Sequence, residues 1–193
     1  MGENHNISIV KKTDAEYPDA LLKIKNPPQS LYCIGDVSLM KQKCLAVVGS
    51  RKCSEYGRQT AMKIGKTAAE NEVVIVSGMA KGIDSFGHLG ALRNGGKTIA
   101  VLGGGVNVCY PASNRRLYEE ICEKGLVISE TEPDIIWDSV KNDCHTAVNT
   151  TSFAGTTNFS FSLYVFSPSL HPANVQFTFE KVFSGSIISA PSS

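Results

Sequence analysis

The sequence predicts an α/β fold, a three-layer parallel sheet with helices on both faces. Three observations carry this expectation. Short apolar runs end at small residues in Val47-Val48-Gly49-Ser50-Arg51, Val74-Ile75-Val76-Ser77-Gly78 and Ile99-Ala100-Val101-Leu102-Gly103-Gly104-Gly105. A helical pattern follows each run, which is the grammar of right-handed crossovers. Val73 to Val76 is continuously β-branched, as a strand buried on both faces requires.

The elements follow in order. Tyr17 to Lys25 reads as a short amphipathic helix with Pro18 near its first turn, broken by Asn26-Pro27-Pro28. Leu31 to Ile34 is a short strand stopped by Gly35-Asp36, and Cys44 to Gly49 is the first core strand. Ser54 is the N-cap of a helix running to about Asn71, with Ala61, Ile64 and Ala68 at helical spacing. Val73 to Val76 is the next strand. Asp84 is read as the cap of a helix through about Arg93, which Gly95-Gly96 ends. Lys97 to Leu102 forms a strand, Asn114 to Lys124 a helix stopping at Gly125, and Leu126 to Ser129 a fourth strand. The order is βαβαβαβ.

This divides the chain into a lead-in over 1–40 that packs on the sheet, a core over 41–132, and a Ser/Thr/Phe-rich tail over 133–193. The tail holds seven of the eight phenylalanines and two of the 17 glycines. Phe159 and Phe161, then Phe177 and Phe179, alternate with small or polar residues as short strands do. A β-rich piece and a tail without structure are both open readings.

A length of 193 residues suits one domain, and a net charge of +1 does not discriminate among partners. Six cysteines form no CxxC pair and no zinc spacing, which predicts reduced thiols rather than a disulfide framework. No run approaches the ~20 apolar residues of a membrane helix. The polar start lacks a signal-peptide pattern, so the expected location is cytoplasmic.

In open α/β sheets, ligands bind outside the carboxyl ends of the strands. Glycine, serine and basic residues gather there in three groups. Gly49, Ser50, Arg51 and Lys52 join a strand to a helix N-terminus, where backbone N–H groups and the helix dipole favour phosphate. Arg51 adds a bidentate donor, and the competing reading is a tight turn with a solvated arginine. Ser77, Gly78, Lys81 and Gly82 form the second group, with two glycines spaced for an anion nest. Asp84 is weighed there as a helix cap rather than a catalytic acid, and His88 as structural. Gly103, Gly104, Tyr110, Asn114 and Arg115 complete the rim. Tyr110 either stacks on a base or packs beside Pro111. Asn114 is also a candidate helix cap, and Arg115 and Arg116 a solvated face.

The chain carries no GxGxxG after its first core strand, no acidic ribose ligand after the second, and no GxxxxGK[ST] loop. No metal-ligand cluster and no nucleophile–base pair stands out. The rim has donors without a general base, which predicts binding rather than catalysis, with no cofactor.

With these residues in view, the chain resembles the DprA (Smf) family of bacterial DNA-processing proteins over about residues 8 to 132. The resemblance is carried by Val47 to Arg51, Tyr56-Gly57, Ile75 to Asp84, His88, Gly90-Ala91-Leu92, Gly95 to Gly103, Tyr110-Pro111, Asn114 and Ser129-Glu130. The stretch from Tyr17-Pro18 to Gly35-Asp36 matches the family's lead-in. The resemblance implies an extended Rossmann-like domain that binds single-stranded DNA. It further implies protection of incoming strands in natural transformation, loading of RecA recombinase, and a homodimer. The family's Gly-Ser-Arg arginine maps onto Arg51, expected to hold a phosphate.

Two departures stand out. Ala112 follows Tyr-Pro where many relatives place a basic residue, and no Phe-Pro-x-Arg-Asn-Arg-Ile-Ile segment follows Ser129-Glu130. The sheet is therefore expected to be incomplete on its C-terminal side, and an ending foreign to the family is a third open reading of the tail. Ser184 to Ala190 only faintly echoes a later family motif. The alternatives are a phosphoribohydrolase on a related scaffold, for which Gly103-Gly104-Gly105-Val106-Asn107 is a poor loop match, and a truncated copy without function.

Overall fold

The computed structural model describes residues 5–136, together with the backbone of residues 162–166. The sheet is built around four parallel strands, β3 (Cys44–Val48), β4 (Val74–Ser77), β5 (Thr98–Val101) and β6 (Leu126–Ser129). Helices α2 (Glu55–Glu70), α3 (Ile83–Leu92) and α4 (Arg115–Lys124) connect them. Ahead of this core stand β1 (Ile7–Lys11), α1 (Asp19–Leu22) and β2 (Ser30–Gly35). Strand β7 (Ser162–Phe166) runs antiparallel along β3. The full order is β1-β2-β6-β5-β4-β3-β7.

The sheet is thus mixed where the sequence predicts a parallel one. Its centre is parallel because each crossover holds a helix, whereas β1, β2 and β7 join antiparallel at its margins. Successive strands β3 to β6 are neighbours in one direction across the sheet, so right-handed crossovers carry α2, α3 and α4 to the same face. Leu45, Val47 and Ile75 meet Ala61, Ile64, Ala68, Ile83 and Ala91 on that face. Further along it, Ala100, Leu102 and Val127 meet Leu117, Tyr118 and Ile121 of α4. The alternate residues Cys44, Val74, Ile99, Val101, Leu126 and Ile128 point the other way. The lead-in covers them with Tyr17, Leu39 and Met40, and Leu21 of α1 packs against the same cluster. Helical cover exists on both faces, long on one and short on the other.

Several local expectations are revised. The helix over Tyr17 to Lys25 shrinks to the four residues of α1, which starts after Pro18 and ends at Leu22. Strand β1 and a 3-10 turn over Val37–Lys41, capped by Asp36, are additions. Helix α3 starts from Gly82, not from Asp84. Ser54 caps α2 as expected, its Oγ accepting from Gly57 N at 3.1 Å. The five described cysteines are free thiols. Cys144, the alternating phenylalanines 159, 161, 177 and 179, and the stretch 184–190 lie outside the described residues.

His88 is fully buried on α3, where burial pushes its imidazole down to about 3. The Thr98 hydroxyl donates to Ile75 O at 2.8 Å, so it accepts from His88 Nδ1 at 2.5 Å. The histidine therefore ties α3 to β5 as a neutral group.

Candidate nucleic-acid interface

The carboxyl ends of β3, β4 and β5 lie side by side, and the loops that leave them are bonded to one another. Ile83 N donates to Ser50 O at 3.2 Å, which seats the start of α3 on the loop after β3. Gly82 makes that contact feasible. Its φ is +83° and its ψ −130°, a region that suits glycine alone. A Cβ there would collide with Ser50 O and stand 2.8 Å from Arg51 O. The loop after β5 is tied in from the other side. Asn114 Nδ2 donates to Met79 O at 2.8 Å and to Ser85 Oγ at 2.9 Å. Asn114 occupies the N-cap position of α4 but makes no side-chain cap bond, so its amide works across the site.

Backbone and hydroxyl groups of the rim bond to one another, although Gly49 and Ser50 are exposed. Ser77 is fully buried, and its hydroxyl donates to Val47 O at 2.6 Å across the β3–β4 pair. Gly49 N and Gly78 N both donate to the carboxylate of Asp84, at 3.3 and 3.2 Å. Burial raises the Asp84 carboxyl above its ordinary value, while backbone hydrogen bonds from Gly49, Gly78 and Ala80 act against that rise. Ser50 Oγ accepts from Lys52 N at 3.1 Å and shapes the turn that carries Arg51. Gly103 O accepts from the Thr131 hydroxyl at 3.0 Å. Gly105 N donates to Ile135 O at 2.8 Å, and Asn107 N to Pro133 O at 2.9 Å. The three-glycine end of β5 thus seats the segment after β6 closely against itself, with Gly103 and Gly104 half-buried beside it.

The cations and one aromatic face outward. Arg51, Lys52, Lys81, Arg115 and Arg116 are exposed, and no ion pair among the described residues includes any of them. Tyr110 precedes Pro111 through a cis peptide bond and is 67% exposed. It does not pack away beside the proline. The surface therefore offers unneutralised guanidinium and ammonium groups and a stacking face, on a backbone locked from beneath. Such a set attracts phosphates and bases and contains no exposed nucleophile–base pair.

Sequence reasoning places the cations and Tyr110 at this rim but misses the work of Asp84 and Asn114. Both residues stand at helix starts, where a capping role is indistinguishable in sequence from a bond to another loop. The contact of Gly105 with residues 132–135 is non-local and leaves no periodic signal.

The family model for DNA recombination-mediator protein A matches residues 8–141. The DNA processing protein DprA of Streptococcus pneumoniae is 49% identical over 117 residues, covering 61% of this chain and 41% of that protein. The X-ray structure of that species' DNA processing protein A superposes with a TM-score of 0.63 at 43% identity, over 70% of this chain and 47% of the other. DNA processing protein A from Helicobacter pylori, whose structure is described for its single-stranded DNA binding mode, gives a TM-score of 0.63 at 31% identity, over 70% of this chain and 60% of that one. The chain spans less than half the length of the curated relatives it matches.

Proposed function

The chain belongs to the DNA recombination-mediator protein A family, and on that premise we propose that its strand-end rim grips the phosphates of single-stranded DNA without performing chemistry on it. The observation that carries the reading is the group of exposed cations at Arg51, Lys52, Lys81 and Arg115, without an ion pair among the described residues, beside exposed Tyr110. Arg51, Lys52 and Lys81 sit on loops tied by internal hydrogen bonds and Arg115 opens α4, so little ordering is left to the moment of binding. Gly49, Ser50, Ser77, Gly78, Gly82 and Asn114 form the frame. Gly103 and Gly104 border it on the β5 side.

Contacts to phosphate carry no base identity, so sequence preference is weak and stacking on Tyr110 tolerates any base. In this reading the protein works in the cytoplasm, guards incoming strands during natural transformation and passes them to RecA, as a homodimer. The phosphoribohydrolase alternative finds no support at its loop, because Gly105 N is already bonded to Ile135 O.

Fluorescence anisotropy of labelled oligo-dT tests the reading. Affinity falls with salt at a log–log slope of roughly −0.7 per phosphate neutralised. Arg51→Ala weakens binding by about 1–3 kcal/mol, the scale of a charge-assisted contact. A salt-insensitive affinity, or unchanged binding by the variant, refutes it.

A further inference from the structure

Asp84 is the one buried carboxylate among the described residues, and single-strand binding through surface cations gives it no role. A buried ion persists only where partners compensate its lost hydration. No ion pair among the described residues includes Asp84. Backbone N–H groups hold it, with the buried Ser77 side chain beside them. Gly49 N lies 3.3 Å from Oδ1 and Gly78 N lies 3.2 Å from Oδ2, and Ala80 adds a third backbone hydrogen bond. These donors come from two neighbouring strand ends and the loop between β4 and α3. Converging N–H groups of this kind are what a phosphate meets in nucleotide-binding α/β sheets. The fit is close, since a Cβ on Gly78 would stand 3.2 Å from Oδ2.

We propose that Asp84 is a resident anion, a positioning residue whose carboxylate fills the backbone nest of the rim. It holds the loops after β3 and β4 in register and leaves incoming phosphates only the side-chain cations above. The rim then accepts the internal phosphodiesters of a strand. It gains nothing extra from a terminal phosphomonoester or a free mononucleotide, whose additional charge would need the occupied N–H groups. This inference rests on the single-strand reading for its consequence, while the occupied nest can be tested without DNA.

The test is an NMR titration of the ¹⁵N-labelled full chain with inorganic phosphate, following the Gly49 and Gly78 amides. In the wild type neither amide moves. In Asp84→Ala both move, because the emptied nest takes the ion. Phosphate-induced shifts of both amides in the wild type overturn the proposal. Oligo-dT carrying a 5′-phosphate and oligo-dT carrying a 5′-hydroxyl bind the wild type within two-fold of each other, and a tenfold preference for the phosphorylated strand overturns it.

If Asp84→Ala does not fold, Asp84→Asn keeps the shape and removes the charge. Its affinity for oligo-dT falls at least five-fold, because an amide nitrogen replaces one acceptor of the nest. Tighter binding, the result expected from removing a negative charge alone, contradicts the positioning role. A wild type that binds no oligo-dT at all refutes the single-strand reading, and the phosphate titration still decides the status of the nest.

Discussion

The two ends of the parallel strands both carry basic residues and differ in how many of them are partnered. At the amino end, a groove of about 550 Å³ is lined by Gln42, Lys43, Asn71, Glu72, Gly96 and Lys97, among others. Part of the basic charge there is partnered, although Lys43 enters no ion pair among the described residues. Lys97 Nζ donates to Lys124 O at 2.9 Å, Lys124 pairs with Glu120 at 2.9 Å, and Lys66 pairs with Glu70 at 3.7 Å. At the carboxyl end Arg51, Lys52, Lys81 and Arg115 have no ion-pair partner among the described residues. The lesson is that a hollow is not by itself a site. Cations left unpaired on a locked backbone mark where an anion is wanted, whereas partnered lysines close helix ends.

The sharpest way to break the carboxyl end is to disturb the junction beneath it. Gly82→Ala places a side chain at positive φ and into the loop after β3. Left-handed strain of roughly 1–2 kcal/mol and overpacking of about 1–3 kcal/mol together predict a loss near 3 kcal/mol, read by urea unfolding. Oligo-dT affinity falls with it, because Arg51 moves from its place.

Acid attacks the fold without neutralising those cations. The His88 imidazole is depressed to about 3 in the folded chain against 6.5 when free. Between these values the unfolded chain binds the extra proton, so stability falls as pH drops through this window, by about 1.4 kcal/mol per unit at most. Urea melts at pH 7 and pH 5 measure the effect, and the difference from His88→Gln isolates it. An equal pH dependence in the variant removes His88 from the account.

Smaller effects separate the two ends by chemistry. Tyr110→Ala weakens oligo-dT binding by about 1 kcal/mol, the low end for one stacked base, and leaves the salt slope unchanged. Loss of slope in that variant would mean that Tyr110 shapes the cationic surface rather than stacking.

How much of this was legible in the sequence depends on how local each cause is. Strands β3 to β6 announce themselves as unbroken apolar runs because both of their faces are buried. Helix α2 is marked at its start by Ser54 and along its length by Ala61, Ile64 and Ala68. Strand β1 escapes because Ile7, Ser8, Ile9 and Val10 make a short pattern at a chain end, and its partner β2 lies some 20 residues on. The antiparallel margins escape for the same reason, since register with a distant strand has no local signature. At the site, charge and exposure are legible because solvated arginines need no partner. The inward half is not, because Asp84, Asn114 and Ser77 act on residues about 30 or more positions away in the chain.

The most direct test of the difference between the ends is one experiment on two variants. Oligo-dT anisotropy is measured for Arg51→Ala and Lys97→Ala beside the wild type, at two salt concentrations. Arg51→Ala is expected to weaken binding by about 1–3 kcal/mol and to flatten the log–log salt slope by roughly 0.7, while Lys97→Ala stays within about 0.5 kcal/mol of the wild type. A larger loss from Lys97→Ala than from Arg51→Ala would place the strand in the amino-end groove and contradict the account.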